Sequence, residues 1–239
     1  MSNTTNLILG ESLAAARARL ADALAAAGRP AEDARLLAVS KTKPVAMIRE
    51  AWQQGQRDFG ENYVQEALAK QGELKDLEGI VWHFIGPLQS NKTREVAEHF
   101  AWVHSVDREK IARRLNDQRP AELGPLDICL QVNISAEPSK SGVMLEELPD
   151  LAAAVLAMPA LRLRGLMAIP APAEEPSAQR EPFARLRQAL DRLHKRFPDA
   201  PLDTLSMGMS ADLEAAVAEG ATLVRLGTAI FGERDAASR

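Results

Sequence analysis

Cysteine and aromatic residues are scarce in this sequence. The single cysteine, Cys129, rules out an intrachain disulfide and a zinc site built from several thiolates. It lies in the apolar run 126–132, which predicts a buried and unreactive thiol. Aromatic residues make up only 4% of the chain, so little stacking surface is available for single-stranded nucleic acid.

A strong net charge and a long apolar run are also lacking. The formal net charge of −4 argues against a general binder of the nucleic-acid backbone, although it leaves room for a local basic pocket. No window approaches the length of a membrane span, and the polar residues 1–6 do not resemble the start of a signal peptide. These absences predict a cytoplasmic protein that binds neither membranes nor nucleic acid.

The main pattern that is present is an alternation of short apolar runs with longer helical runs. A first helix is predicted over residues 5–27, which are rich in Ala, Leu and Arg and are followed by Gly28 and Pro30. The later apolar runs are continuous, as is typical of parallel strands buried on both faces. Strands are predicted at residues 36–40, 58–60, 80–85, 102–105, 127–133, 161–169, 204–206 and 223–226.

Eight strand–helix units in one chain favour the α/β class and a single (β/α)8 barrel, also called a TIM barrel. We predict one domain over residues 1–239, with the N-terminal helix in 1–30 and the barrel in 31–239. An open doubly wound sheet shows the same alternation and is the alternative. The Pro- and Glu-rich stretch 170–182 is predicted to form a mobile loop at the barrel mouth.

Functional side chains of a barrel lie where its strands end. Lys41 follows the first predicted strand, where apolar surroundings favour the neutral amine that Schiff-base chemistry requires. The alternative is a surface lysine whose stem covers apolar surface. After the second strand, Glu61 and Asn62 either line the mouth or cap the next helix.

The histidines offer a weaker signal. His83 and His104 lie in predicted strands, where a hydrogen-bonded core histidine is commoner than a catalytic one. His99 and His194 fall in helical runs and are predicted to be solvated. The four histidines have no metal-ligand spacing, so we expect no metal site.

The ends of strands seven and eight carry small and hydroxyl-bearing residues, namely Gly208, Ser210, Gly227 and Thr228. Barrels commonly bind phosphate with these two loops, although a turn and a helix N-cap would use the same residue types. Arg225, within the last strand, is costly to bury without a partner or ligand. Because strands eight and one are neighbours in a closed barrel, a lysine and a phosphate site come together. A phosphorylated aldehyde cofactor would bridge them, and so would the phosphorylated sugar of a class I aldolase.

Seven segments in order carry a resemblance that covers nearly the whole chain. They are LAVSKTKP (37–44), FGENYVQE (59–66), WHFIGPLQSNK (82–92), SKSG (139–142), RGLMAIP (164–170), LSMGMS (205–210) and RLGTAIFG (225–232). The sequence resembles the YggS/PROSC family of pyridoxal phosphate homeostasis proteins, which have a barrel of the alanine racemase type.

The resemblance implies that pyridoxal 5'-phosphate (PLP) is the cofactor and that Lys41 carries it as a Schiff base. It implies ring contacts for Asn62 and Met167, and it places Arg225 at the pyridine nitrogen. An arginine cannot take up the ring proton, which suits racemase-like or carrier chemistry better than transamination. The implied phosphate ligands are Ser206, Ser210, Gly227 and Thr228.

The implied role is a carrier or regulator of PLP in vitamin B6 homeostasis, with apo PLP-dependent enzymes as partners. The alternative is a low-activity PLP-dependent amino-acid racemase. Alanine racemases add a C-terminal β domain, and since this chain ends at Arg239 we expect neither that domain nor a dimer, but a monomer. Racemisation needs acid/base groups on both faces of the substrate, and Lys41 supplies only one. Lys43 and Lys140 lie in predicted loops, as secondary PLP acceptors or simply as solvated lysines.

Overall fold

The barrel predicted from the sequence is confirmed. The computed structural model describes residues 2–138 and 140–233, without the side chains of residues 2–7. Parallel strands β1 to β8 pair in chain order, and β8 returns to pair with β1. The strands are β1 (Arg35–Val39), β2 (Asp58–Glu61), β3 (Val81–Phe84), β4 (Trp102–Val106), β5 (Leu126–Gln131), β6 (Leu161–Met167), β7 (Thr204–Ser206) and β8 (Leu223–Leu226).

Helices cover the outside of the barrel because each buries one apolar side against the strands. They are α1 (Ser2–Ala26), α2 (Val45–Gln53), α3 (Val64–Glu73), α4 (Thr93–His99), α5 (Glu109–Gln118), α6 (Leu148–Leu156), α7 (Pro176–Arg196), α8 (Leu213–Ala218) and α9 (Thr228–Phe231). Within the described part of the chain, no helix is long and apolar enough to cross a membrane.

Helix α1 lies outside the regular alternation and packs against α2, α8 and α9. Leu13 and Leu24 are buried on its inner face. The chain leaving α1 is held by Arg29, whose guanidinium donates to the carbonyls of Val217 (2.8 Å) and Ala221 (2.9 Å). The N-terminal helix therefore covers the seam where β8 meets β1.

One boundary prediction is wrong. The stretch 170–182 was expected to be a loop, but α7 begins at Pro176 and continues through Pro182. A proline fits the first turn of a helix, where its missing N–H would have no partner. Pro182 lies deeper in α7, on the buried face. Packing of that face outweighs the lost hydrogen bond, and this cannot be judged from the proline content of the segment.

Candidate functional site

Lys41 lies two residues after the end of β1, in a tight turn. The turn begins where the Ser40 N–H donates to the Gly60 carbonyl of β2 at 3.0 Å. Thr42 adopts a φ of +64°, which is unfavourable for a β-branched residue. Its N–H donates to the carboxylate of Glu66 on α3. Lys41 is half-buried rather than enclosed, and strained backbone beside it is typical of functional turns.

A second lysine, Lys70 of α3, stabilises this turn through hydrogen bonds. Its buried ammonium donates to the Ser40 carbonyl (2.7 Å) and to the carboxylates of Glu61 (2.8 Å) and Glu66 (2.7 Å). Burial raises the pKa of Glu61, while Lys70 and Ser40 oppose that rise. The sequence reasoning missed Lys70, because nothing distinguishes it from a solvated helix lysine. The capping alternative for Glu61 and Asn62 is not observed, since Tyr63 is the N-cap of α3 and makes no side-chain cap.

Asn62 lies at the mouth beside a cavity of about 300 Å³. Its Oδ1 atom is buried and has no hydrogen-bond partner among the described residues. Gly86 packs against the Asn62 backbone, where any Cβ would overlap the carbonyl group. The cavity is also lined by Gln131, Asn133 and Lys140. A buried amide oxygen without a partner, in a residue that lines a cavity, indicates a ligand-binding position.

Loops seven and eight lie beside the Lys41 turn, because β8 pairs with β1. Ser210 and Thr228 are exposed there. Asp212, not Ser210, is the N-cap of α8, and its carboxylate accepts the Met209 N–H at 2.8 Å. Gly227 precedes α9, whose first N–H groups have no partner within the helix. These loops present hydroxyls and backbone donors at one side of the mouth.

Arg225 is buried in the barrel interior and makes its two side-chain hydrogen bonds to neutral acceptors. Nη1 donates to Ser206 Oγ (2.7 Å), and Nη2 donates to the Ala168 carbonyl (3.0 Å). Burial lowers the pKa of Arg225 to about 10, so the guanidinium stays charged at neutral pH. Ser206 points into the barrel towards Arg225, away from loop seven. Met167 is buried in a small apolar cluster with Cys129, and Cys129 is buried as predicted.

Beneath Ser206, two histidines continue inward through the barrel. His104 Nδ1 lies 2.7 Å from Ser206 Oγ, and its Nε2 lies 2.9 Å from His83 Nδ1. His83 Nε2 lies 2.8 Å from Asp58 Oδ1, and Asp58 pairs with Arg35 at 3.2 Å. His83 is thus a hydrogen-bonded core histidine. Strand alternation predicts that each of these side chains points inward, but not that they meet.

Both histidines are fully buried, and burial is the largest cause that lowers their pKa. For His104 the pKa is well below its usual value, and the neighbouring His83, Arg225 and Arg35 add to the effect. For His83 the pKa is also lowered, although Asp58 opposes this. Two neutral imidazoles therefore occupy the barrel axis at neutral pH.

The free energy of unfolding should fall as the pH drops below about 6.5, the pKa of an unfolded histidine. Below this pH the unfolded chain binds protons at His83 and His104, whereas the folded chain does not. The free energy of unfolding therefore rises with pH as these histidines lose their protons in the unfolded chain. Each histidine contributes a slope of up to roughly 1.4 kcal/mol per pH unit. Asp58 acts in the same direction only at more acidic pH, because its folded pKa is below its usual value.

Urea unfolding at several values between pH 7 and pH 5 measures this slope. His104→Gln should reduce it, whereas replacement of the exposed His194 by glutamine should leave it unchanged. A wild-type slope near zero would contradict the buried, neutral state of the two histidines.

Comparisons with known proteins agree with the fold. The family model described as alanine racemase, N-terminal domain, matches residues 12–235. The pyridoxal phosphate homeostasis protein of Pseudomonas aeruginosa is 63% identical over 227 residues, covering 95% of this chain and 96% of that protein. The Escherichia coli K12 protein of the same name is 56% identical over 229 residues, covering 95% of this chain and 97% of that protein.

Among solved structures, PipY of Synechococcus elongatus PCC7942, with PLP bound, is 41% identical. The TM-score is 0.84, and the match covers 94% of this chain and all of PipY. The resemblance stated from the sequence motifs is thereby confirmed, and so is the alanine racemase type of barrel.

Proposed function

We propose that this chain, which belongs to the pyridoxal phosphate homeostasis proteins within the alanine racemase N-terminal domain family, binds PLP as a Schiff base on Lys41. The protein acts in intracellular PLP homeostasis as a carrier or regulator. The observation that carries the proposal is Arg225, a buried cation whose hydrogen bonds reach only neutral acceptors. Its remaining N–H groups can donate to a ligand at the same mouth, and the unprotonated nitrogen of a pyridine ring is a suitable acceptor.

The residues at the mouth fit PLP. Asn62 Oδ1 is buried without a partner and accepts a hydrogen bond from a ligand that fills the adjoining cavity. Ser210, Gly227 and Thr228 offer hydroxyl and backbone donors for the phosphate, next to the Lys41 turn. Met167 contacts the ring from the barrel interior. Ser206 contributes through Arg225, whose guanidinium it helps to hold beside the pyridine nitrogen.

PLP would supply an aldehyde that condenses with amines and an electron-withdrawing ring. Arg225 limits that second property, because a guanidinium cannot protonate the ring nitrogen near neutral pH. Lys70 fixes the backbone before Lys41 through the Ser40 carbonyl. The chain thus holds and orients PLP without promoting further bond cleavage.

A carrier or regulator is favoured over the racemase alternative because Tyr63, the tyrosine among the described residues, is not placed as a second base. Racemisation needs a proton donor on the face opposite the lysine. The tyrosine of the chain, Tyr63, is 50% exposed at the start of α3 rather than enclosed over Lys41. We propose a cytoplasmic monomer that exchanges PLP with apo PLP-dependent enzymes.

The test is an absorption spectrum of the purified protein with PLP, before and after borohydride, followed by peptide mapping. We expect visible absorbance that collapses on reduction and a pyridoxyl group on Lys41. A protein that stays colourless and unmodified after incubation with PLP would overturn the proposal. The class I aldolase would then become the leading alternative, since it uses a lysine and a phosphate site without a cofactor.

A further inference from the structure

A row of hydrogen-bonded polar side chains runs along the barrel axis, where bulky apolar residues normally fill a TIM barrel. We call it the axial chain, and its members are Arg225, Ser206, His104, His83 and Asp58. Consecutive members are joined by contacts of 2.7, 2.7, 2.9 and 2.8 Å. The axial chain extends from the cofactor side of the barrel to Asp58, the first residue of β2, at the opposite end.

The upper end of the axial chain determines the direction of its hydrogen bonds. A guanidinium only donates, so Ser206 Oγ accepts from Arg225. The remaining partner of Ser206 Oγ among the described residues is His104 Nδ1, so the hydroxyl proton is donated to that nitrogen. Neutral His104 must then carry its proton on Nε2. That N–H donates to His83 Nδ1, and neutral His83 must in turn donate from Nε2 to Asp58.

The lower end requires the same direction independently. Burial raises the pKa of Asp58, but the contacts with His83 and with Arg35 at 3.2 Å outweigh it and hold that pKa below its usual value. The carboxylate is therefore ionised and only accepts. His83 therefore donates from Nε2 and accepts at Nδ1. His104 then donates from Nε2, and Ser206 donates to His104 Nδ1. Two fixed ends thus agree on one arrangement of protons, with none left unpaired between them.

We propose that the axial chain is a positioning device with a single direction, in which every donor points from Arg225 towards Asp58 and which holds the Arg225 guanidinium at the ring nitrogen of PLP. This inference rests on the proposed function for its cofactor. His104 and His83 are positioning residues, since neither contacts the mouth. Because arginine does not release a proton near neutral pH, the axial chain orients a charge and does not conduct protons.

Other charged groups near the two histidines are compatible with this direction. Arg225 and Arg35 disfavour protonation of His104, while Asp58 and Asp127 favour protonation of His83. The favourable effect on His83 is smaller than the cost of burying its charge. Each imidazole therefore keeps one proton, and the direction is retained.

Nitrogen-15 NMR of histidine-labelled protein without PLP tests the direction. We expect His83 and His104 to be neutral with the proton on Nε2, and unchanged between pH 8 and pH 6. The exposed His194 serves as the reference for a solvated imidazole. An imidazolium or a proton on Nδ1 of either buried histidine at pH 7 would overturn the proposal.

Replacing Asp58 distinguishes the effect of the Asp58 end on the hydrogen-bond direction from the effect of the Arg225 end. An asparagine can accept or donate, so in Asp58→Asn only Arg225 still imposes the direction. We expect both histidines to keep the Nε2 proton in that variant. Adding Ser206→Ala removes the second constraint and should produce a mixture of the two neutral forms. If the single variant already showed the mixture, Arg225 would not set the direction.

A third arm connects the axial chain to the cofactor. His104→Leu removes the acceptor of Ser206 and should weaken PLP binding about tenfold, the equivalent of one hydrogen bond. His104→Gln is the matched rescue, because its amide can accept from Ser206 and donate to His83, and it should stay within about threefold. Equal affinities for both variants and the wild type would refute the positioning role. Absence of any PLP adduct on the wild type would instead refute the proposed function, and the NMR result would still decide the direction.

Discussion

Replacing Lys41 by arginine should abolish the reducible PLP adduct and leave the fold intact. Arginine keeps the positive charge and the stem of the half-buried lysine, but its guanidinium does not form a stable Schiff base. The visible band should fall to background, and mass spectrometry after borohydride should detect no pyridoxyl group. Urea unfolding without PLP should give a midpoint close to that of the wild type.

Lys43 provides the matched control for this variant. It lies two residues away in the same turn, and its ammonium donates to the carbonyls of Gly232 (2.8 Å) and Glu233 (2.7 Å). Lys43→Arg should therefore retain the adduct at full yield. A Lys41→Arg protein that still formed the adduct, on Lys43 or on Lys140, would show that the position of Lys41 does not select it.

Replacing Gly165 by alanine should cause the largest loss of stability. Gly165 lies in β6 opposite Thr204 of β7, and an added Cβ would lie closer to the Thr204 carbonyl than side-chain carbons ever come. Both strands belong to a closed barrel, so neither can move away without breaking its other pairing. We expect a loss of about 3 kcal/mol or more in the free energy of unfolding, at the upper end of overpacking effects.

Gly72 is the control for the same chemical change. It is exposed in α3, and an added Cβ would meet no atom within 4 Å. Alanine favours a helix, so Gly72→Ala should raise the free energy of unfolding by up to about 1 kcal/mol. Denaturant unfolding of both variants decides the matter, and similar stabilities for the two would contradict the close contact of β6 with β7.

The positions of the candidate site residues were predictable as far as they depend on strand ends. Lys41, Asn62 and the residues after β7 and β8 were identified because the carboxyl ends of parallel strands meet at one mouth. Lys70 and the pairing of His104 with Ser206 were not predicted. Lys70 bonds to the carbonyl of Ser40, 30 residues away in the chain, and His104 bonds to Ser206, 102 residues away. No local sequence pattern indicates contacts of this separation.

Local patterns alone determined the number of strands, their positions along the chain and the motifs that assign the chain to its family. Continuous apolar runs and turn residues act over a few positions, so they are visible in the sequence itself. Only the tertiary structure decided which polar side chains satisfy each other inside the barrel. A buried hydrogen bond forms only when donor and acceptor lie within bonding distance of each other. Closure of the barrel between β8 and β1 brings these side chains to that distance.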